Sequence, residues 1–141
     1  MISSETKPIY YFAYGMLTDP NIMKGVDLIG TAVLTNYTLE MLMYANLVPM
    51  SGGRTIGALW SIDQALLDEL DEVEGYPTLY TRKLLKVVSN GKEYDAEVYL
   101  MTSDTRTQLL DTDPSKSYVE KIKNGYSHCG IPLSQLTNAM G

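Results

Sequence analysis

Three observations predict an α+β fold with a mixed or antiparallel sheet. Segments rich in β-branched and aromatic residues, around Tyr37–Tyr44, Thr55–Trp60, Arg82–Val88 and Tyr94–Met101, follow one another in hairpin order. Turn signals separate them: Ser51-Gly52-Gly53, then Ser89-Asn90-Gly91, whose Asn-Gly pairs the last two strands as a hairpin. Helical spacing of apolar residues is confined to a few stretches, the clearest beginning at Asp63.

The first element is a buried strand, Ile9-Tyr10-Tyr11-Phe12-Ala13, followed by Tyr14-Gly15-Met16-Leu17. Gly15 can take backbone angles that a side chain forbids, and in Thr18-Asp19-Pro20 the aspartate can cap a helix that the proline opens. A strand, a glycine turn and a helix start leave backbone N–H groups aimed into one small space. Such groups bind an anion or polarise a carbonyl whatever side chain sits at Met16. The same residues also fit an ordinary strand-to-helix connection.

From Asp63, a plausible N-cap, leucines and Val73 recur at helical spacing up to Glu74. Glu74 lies four residues after Leu70 and seven after Leu67, which places it on the apolar face. Asp68, Glu69, Asp71 and Glu72 belong mainly to the solvated side. A carboxyl held against apolar surface has a raised pKa, as a general base that must also act as an acid near neutral pH requires. Gly75 and Pro77 then end the helix. Spacing alone fits equally a frayed last turn in which Glu74 is solvated.

In the strand ending at Met101, Tyr94, Ala96, Val98 and Leu100 share one face, and Asp95, Glu97, Tyr99 and Met101 the other. Tyr99 is therefore on the more polar face, which suits a pocket and suits solvent. Ser103–Thr112 reads as a loose polar stretch. Asp113-Pro114 reads as an N-cap with proline at the first helical position, opening a helix through about Lys123 that ends near Gly125; a last short helix follows Pro132.

Tyr14-Gly15-Met16-Leu17, Leu70-Asp71 leading to Glu74-Gly75-Tyr76-Pro77, and Tyr80-Thr81-Arg82 together resemble the γ-glutamylcyclotransferase-like superfamily. The resemblance continues through Ala96–Thr102 and Tyr118–Gly125 to Gly130-Ile131-Pro132, nearly the whole chain in the family's order. It implies that the sheet curls into a small mixed barrel with flanking short helices. It further implies that Glu74 is the catalytic acid/base, that Tyr14, Gly15, Met16 and Leu17 hold a γ-glutamyl group, and that Tyr80, Tyr99 and Tyr118 line the pocket. The family usually has serine, threonine or a similar small polar residue where this chain has Met16.

The chemistry so implied is a cyclisation. The free α-amine of a γ-glutamyl group attacks its own γ-carbonyl, closes the five-membered lactam 5-oxoproline and expels the attached amine. Such a reaction needs no protein nucleophile, metal or cofactor: only proton transfer, oxyanion stabilisation and a folded substrate. A non-catalytic binding module that keeps the pocket is the alternative, with Met16 in its favour and Glu74 against it. An interaction protein that makes no use of a pocket is the third reading, favoured if Glu74 is fully solvated.

Composition bounds the partners. The 141 residues, 45% hydrophobic, fit one domain over 1–141 with a core of its own. A net charge of −6 opposes nucleic acid and anionic membrane as partners, leaving a small-molecule γ-glutamyl substrate as the expected ligand. Lys116, Lys121 and Lys123 read as a solvated helix face. The single Cys129, with only His128 beside it, offers neither an internal disulfide nor metal-ligand spacing. His128 is expected in a polar turn on the surface. Residues 1–7 lack a signal-like pattern and no apolar run spans a bilayer, so a cytoplasmic location is expected. The oligomeric state is open.

Overall fold

The computed structural model describes residues 8–141; the reading of residues 1–7 lies outside them. Strand β1, Ile9–Ala13, is buried from Tyr11 onward, and β2 (Asp27–Met41) and β3 (Ala45–Ile62) form a long antiparallel hairpin. A second hairpin joins β4 (Tyr80–Ser89) to β5 (Lys92–Met101), with Ser89 opposite Lys92. Its two turn residues, Asn90 and Gly91, have φ of 50° and 77°, the twist that a two-residue hairpin turn requires. The strands close into a barrel in the order β1-β3-β2-β4-β5. Closure is made by β1 lying parallel to β5, Tyr10 opposite Ala96, so the expected barrel is mixed.

The long hairpin departs from the expected boundaries. β2 begins ten residues before Tyr37, and Ser51-Gly52-Gly53 lies inside β3 rather than ending a strand. Register shifts between Thr35 and Tyr37, where Asn36 takes φ 67°, and the Gly52 N–H donates to Asn36 Oδ1 at 3.2 Å. The glycine accommodates a bulge, so the strand bends and continues.

Helix α1, Gln64–Val73, is capped as expected: Asp63 accepts from the Leu66 N–H at 2.8 Å, and Gly75 takes φ 65° past its end. Its buried side is Leu67 and Leu70, while Val73, 67% exposed, is not part of it. Ser103–Thr112 is not loose. Its first part is helix α2, Ser103–Leu109, capped by Thr102 and tied to β2 by Arg106, which donates to both Glu40 carboxylate oxygens at 2.9 and 2.7 Å. A tertiary ion pair thus orders a stretch whose polar composition signals a loop.

Helix α3 runs Lys116–Cys129, with Ser115 rather than Asp113 as its cap, and ends at Gly130 with φ 75° rather than near Gly125. His128 is accordingly in the last helical turn, exposed as expected. Helix α4, Leu133–Met140, follows Pro132. Thr18-Asp19-Pro20 opens no α-helix. Asp19 instead accepts from the Asn21 N–H at 2.9 Å, and its carbonyl closes a turn onto Ile22 and Met23 that leads to Gly25 at φ 79°.

Phe12, Leu59, Val87, Val98, Ile122, Tyr126 and Leu136 are fully buried, filling the barrel and the seam under α3 and α4. Each such burial is worth about 1.5–3 kcal/mol. Beyond the end of β1, where Ala13 pairs with Ala58, the edge of β3 is met by a side chain. Gln135 of α4 accepts from the Ile56 N–H and donates to the Ile56 carbonyl, both at 2.8 Å.

Candidate active site

The chain leaves β1 at Ala13 and makes one 3-10 turn, Met16–Thr18, with Gly15 as its cap. Thr18 and Asp19 donate their N–H groups back to Gly15 and Met16, which leaves the N–H groups of Met16 and Leu17 without an acceptor among the described residues. Gly15 has φ −128°, so glycine is favoured here by space rather than by a left-handed backbone. A Cβ on it would lie 3.0 Å from Ala45 Cβ and 3.5 Å from the Tyr118 hydroxyl.

Four contacts hold this turn from behind. Tyr126 donates to the Tyr14 carbonyl at 2.7 Å, Trp60 Nε1 to Leu17 at 3.1 Å and Cys129 Sγ to Thr18 at 3.3 Å. In the fourth, α3 presses Gly125 so close that an added Cβ would fall 2.0 Å from Thr18 Oγ1. Gly125 is thus a packing residue inside α3. The thiol of Cys129 braces the turn.

Glu74 is the residue on which α1 ends, with φ −83° and ψ −3°. It lines a small pocket of about 40 Å³ together with the Met16–Leu17 turn. It makes no hydrogen bond or ion pair with any described residue. Burial alone pushes its pKa up from 4.5 to about 7. The solvated, frayed alternative is excluded by this placement.

All eight residues singled out in the sequence line that one pocket: Glu74, the run Tyr14-Gly15-Met16-Leu17, and Tyr80, Tyr99 and Tyr118. Tyr14 donates to the Tyr99 carbonyl and Tyr80 to the Ala45 carbonyl, each at 2.6 Å, so neither phenol has a proton left for a ligand. Tyr118 differs. Its oxygen accepts from the Ala45 N–H at 3.0 Å, and its own proton has no acceptor among the described residues. Burial raises the Tyr118 phenol to about 12 and the Tyr80 phenol further, so both are neutral donors at neutral pH.

Asp71, Arg82 and Tyr11 were not singled out by sequence reasoning. Asp71, placed there on the solvated side, is half-buried; it accepts from Tyr99 Oη at 2.7 Å and pairs with Arg82, whose Nε reaches Glu97 at 3.0 Å. Burial pulls the Asp71 carboxyl up, but the bonds from Arg82 and Tyr99 outweigh it and hold the group below its usual value. Strand alternation carried a signal: Tyr80 and Arg82 share a face of β4, and Arg82 stands opposite Tyr99. Tyr11 lines the pocket beside Tyr99, ring centroids 5.8 Å apart and edge to face. A second hollow of about 350 Å³, lined by Arg54, Gln135 and Asn138 among others, contains no carboxylate, histidine or thiol.

The sequence model of the family described as gamma-glutamyl cyclotransferase, AIG2-like, matches residues 11–120, a span holding every pocket residue. The chain belongs to that family. Another protein that it resembles is named "Putative gamma-glutamylcyclotransferase YkqA", from Bacillus subtilis (strain 168), at 34% identity over 89% of this chain. The match covers 49% of that protein, so the chain spans about half the length of this curated relative. Among solved structures, one described as gamma-glutamyl cyclotransferase superposes with a TM-score of 0.79 at 22% identity, over 96% of this chain and 88% of the other. An uncharacterized protein of Homo sapiens gives 0.79 at 23% identity with the same coverage. The structure of the Bacillus subtilis protein gives 0.73 at 24%, over 95% of this chain and 55% of that one. At these identities the likeness to the solved structures is one of fold.

Proposed function

We propose that the chain is a γ-glutamylcyclotransferase-type enzyme in which Glu74 is the general acid/base. The observation that carries this reading is the unpaired carboxyl of Glu74, in one tyrosine-lined pocket with Met16 and Leu17, whose N–H groups have no acceptor among the described residues. The ammonium of a bound γ-glutamyl group gives a proton to the Glu74 carboxylate. The freed amine attacks the γ-carbonyl, and the new C–N bond closes the lactam. As the old C–N bond breaks, Glu74 returns its proton to the leaving nitrogen, and the second proton, shed by the new lactam nitrogen, goes with the amine as it departs as an ammonium ion, so the enzyme ends as it began. A carboxyl with a pKa near 7 serves in both directions at neutral pH.

The remaining groups position the substrate. The Met16 and Leu17 N–H groups bind the carboxylate of the glutamyl moiety or the developing oxyanion. Because the backbone supplies these donors, the methionine in place of a small polar residue changes the lining and not the donors. Tyr118 donates to the substrate with its free proton, and Tyr99, fixed by Asp71, excludes water with Tyr14 and Tyr80.

Incubation with a panel of γ-glutamyl amides tests the proposal: mass spectrometry is expected to find 5-oxoproline and the free amine. Glutamate as product, or cleavage of an N-acetylated γ-glutamyl amide, would overturn the mechanism, because only the free α-amine can cyclise. Binding without turnover would favour the non-catalytic module.

A further inference from the structure

We propose that the groove outside Glu74 is the subsite for the leaving amine and that it selects apolar monoamines over α-amino acids. The proposal rests on the cyclotransferase reading. The inner pocket continues outward into a hollow of about 330 Å³, and the two share Met16, Glu74, Tyr80 and Tyr118 as their common rim. A γ-glutamyl group seated in the inner pocket, with its scissile bond at Glu74, sends its amine portion through that rim.

The outer walls are Tyr44, Val73, Leu79 and Leu109, with Gln108 and Thr105 as the polar members. No lysine, arginine or histidine lines the groove among the described residues; its one charged group is Glu74 itself. Arg106, next to Thr105, is held by both oxygens of Glu40, and Arg82 by Asp71 and Glu97. Lys121 lines a different hollow, beyond Tyr44 and Tyr118 and beside Asp113.

An amino acid leaving group carries its carboxylate two bonds from the scissile nitrogen. That charge would sit close to Glu74, in an apolar groove, with no cation to pair it. An alkyl or arylalkyl amine puts only C–H at the same point. It also covers Leu79, Val73 and Tyr44, which are 51%, 67% and 46% exposed.

The test compares γ-glutamyl-2-phenylethylamide with γ-glutamylphenylalanine, which differ by that one carboxylate. The amide is expected to be used with at least ~10-fold higher kcat/KM, the scale on which a site rejects a group it cannot pair. Gln108→Arg, on an exposed position of α2, is expected to narrow the ratio by placing a cation in the groove. Equal or reversed preference, with 5-oxoproline formed, overturns the subsite and leaves the cyclotransferase reading intact. If neither compound yields 5-oxoproline, that reading fails, and calorimetric titration of both compounds decides the groove by itself. At least ~10-fold tighter binding of the amide then supports its selectivity, while equal binding or none overturns it.

Discussion

Asp71 and Glu74 stand three residues apart where α1 ends, and their carboxyl groups are held in opposite protonation regimes. Asp71 is pinned as an anion by Arg82 and Tyr99, while Glu74, unpaired against the tyrosine pocket, titrates at about 7. In the proposed mechanism, two acids with environments that push them apart divide the work, one orienting and one transferring protons.

Glu74→Gln is expected to fold and to lose at least ~10²-fold in kcat, the usual worth of general acid/base catalysis. In the unmodified protein kcat/KM should rise with pH through about 7, as the carboxylate that the proposed mechanism requires as proton acceptor forms. That limb should vanish in the variant. Glu72→Gln, on an exposed neighbour, should change neither rate nor profile.

The same carboxyl makes a stability prediction. Its folded pKa of about 7 lies above the ordinary 4.5, so between those values the folded state retains a proton that the unfolded state releases. Its contribution is therefore fully present below about 4.5 and is lost as pH rises through about 7. Denaturant titrations should show Glu74→Gln gaining stability over the parent between pH 4 and pH 8, by at most ~3 kcal/mol. A pH-independent difference would contradict the burial of this group.

Asp71→Asn removes the anion that holds Tyr99 and Arg82 while keeping the shape. We expect a loss of about 1–3 kcal/mol, because a charge-assisted bond is weakened on half-buried partners. Arg82 keeps Glu97, which limits the damage. KM should rise more than kcat falls, since Tyr99 positions substrate and takes no proton; the reverse split would make Asp71 part of the chemistry.

Gly125→Ala should damage the site from the far side of the turn. The new methyl would overlap Thr18, so α3 must withdraw or the Met16–Leu17 donors must shift, at about 1–3 kcal/mol. Gly91→Ala provides the contrast: φ there is 77° but nothing lies within 4 Å, so stability falls and turnover per folded molecule does not.

Met16→Ser should alter KM modestly and leave kcat within a few-fold, if the turn binds through its backbone. Large activation of an otherwise inert parent would instead identify a lapsed catalyst.

What the sequence made legible was what local chemistry decides. Asp63 caps a helix wherever it packs, Asn90-Gly91 turns a hairpin by its own backbone, and spacing from Leu67 and Leu70 put Glu74 on the inner side. Barrel closure came only through the family resemblance, because the parallel β1–β5 contact joins residues far apart in the chain. Partners that propensity does not see produced the misreadings. Glu40 orders α2 through Arg106, Asn36 receives the bulge at Gly52, and Thr18 needs a glycine at 125 in the middle of a helix. Asp71 was misplaced for the same reason: its pattern is that of a solvated acid, and only Tyr99 and Arg82, from two strands of the barrel, draw it inward.

The double contact of Gln135 with Ile56 bears on self-association. β1 is five residues long and its partner β3 eighteen, so a stretch of β3 would present bare backbone to any other extended chain. One amide side chain imitates the missing strand there, donor for acceptor and acceptor for donor. A leucine in its place would bare that edge, offer neighbouring molecules a template on which to assemble, and take away the amide that donates to the Tyr126 hydroxyl behind the pocket turn.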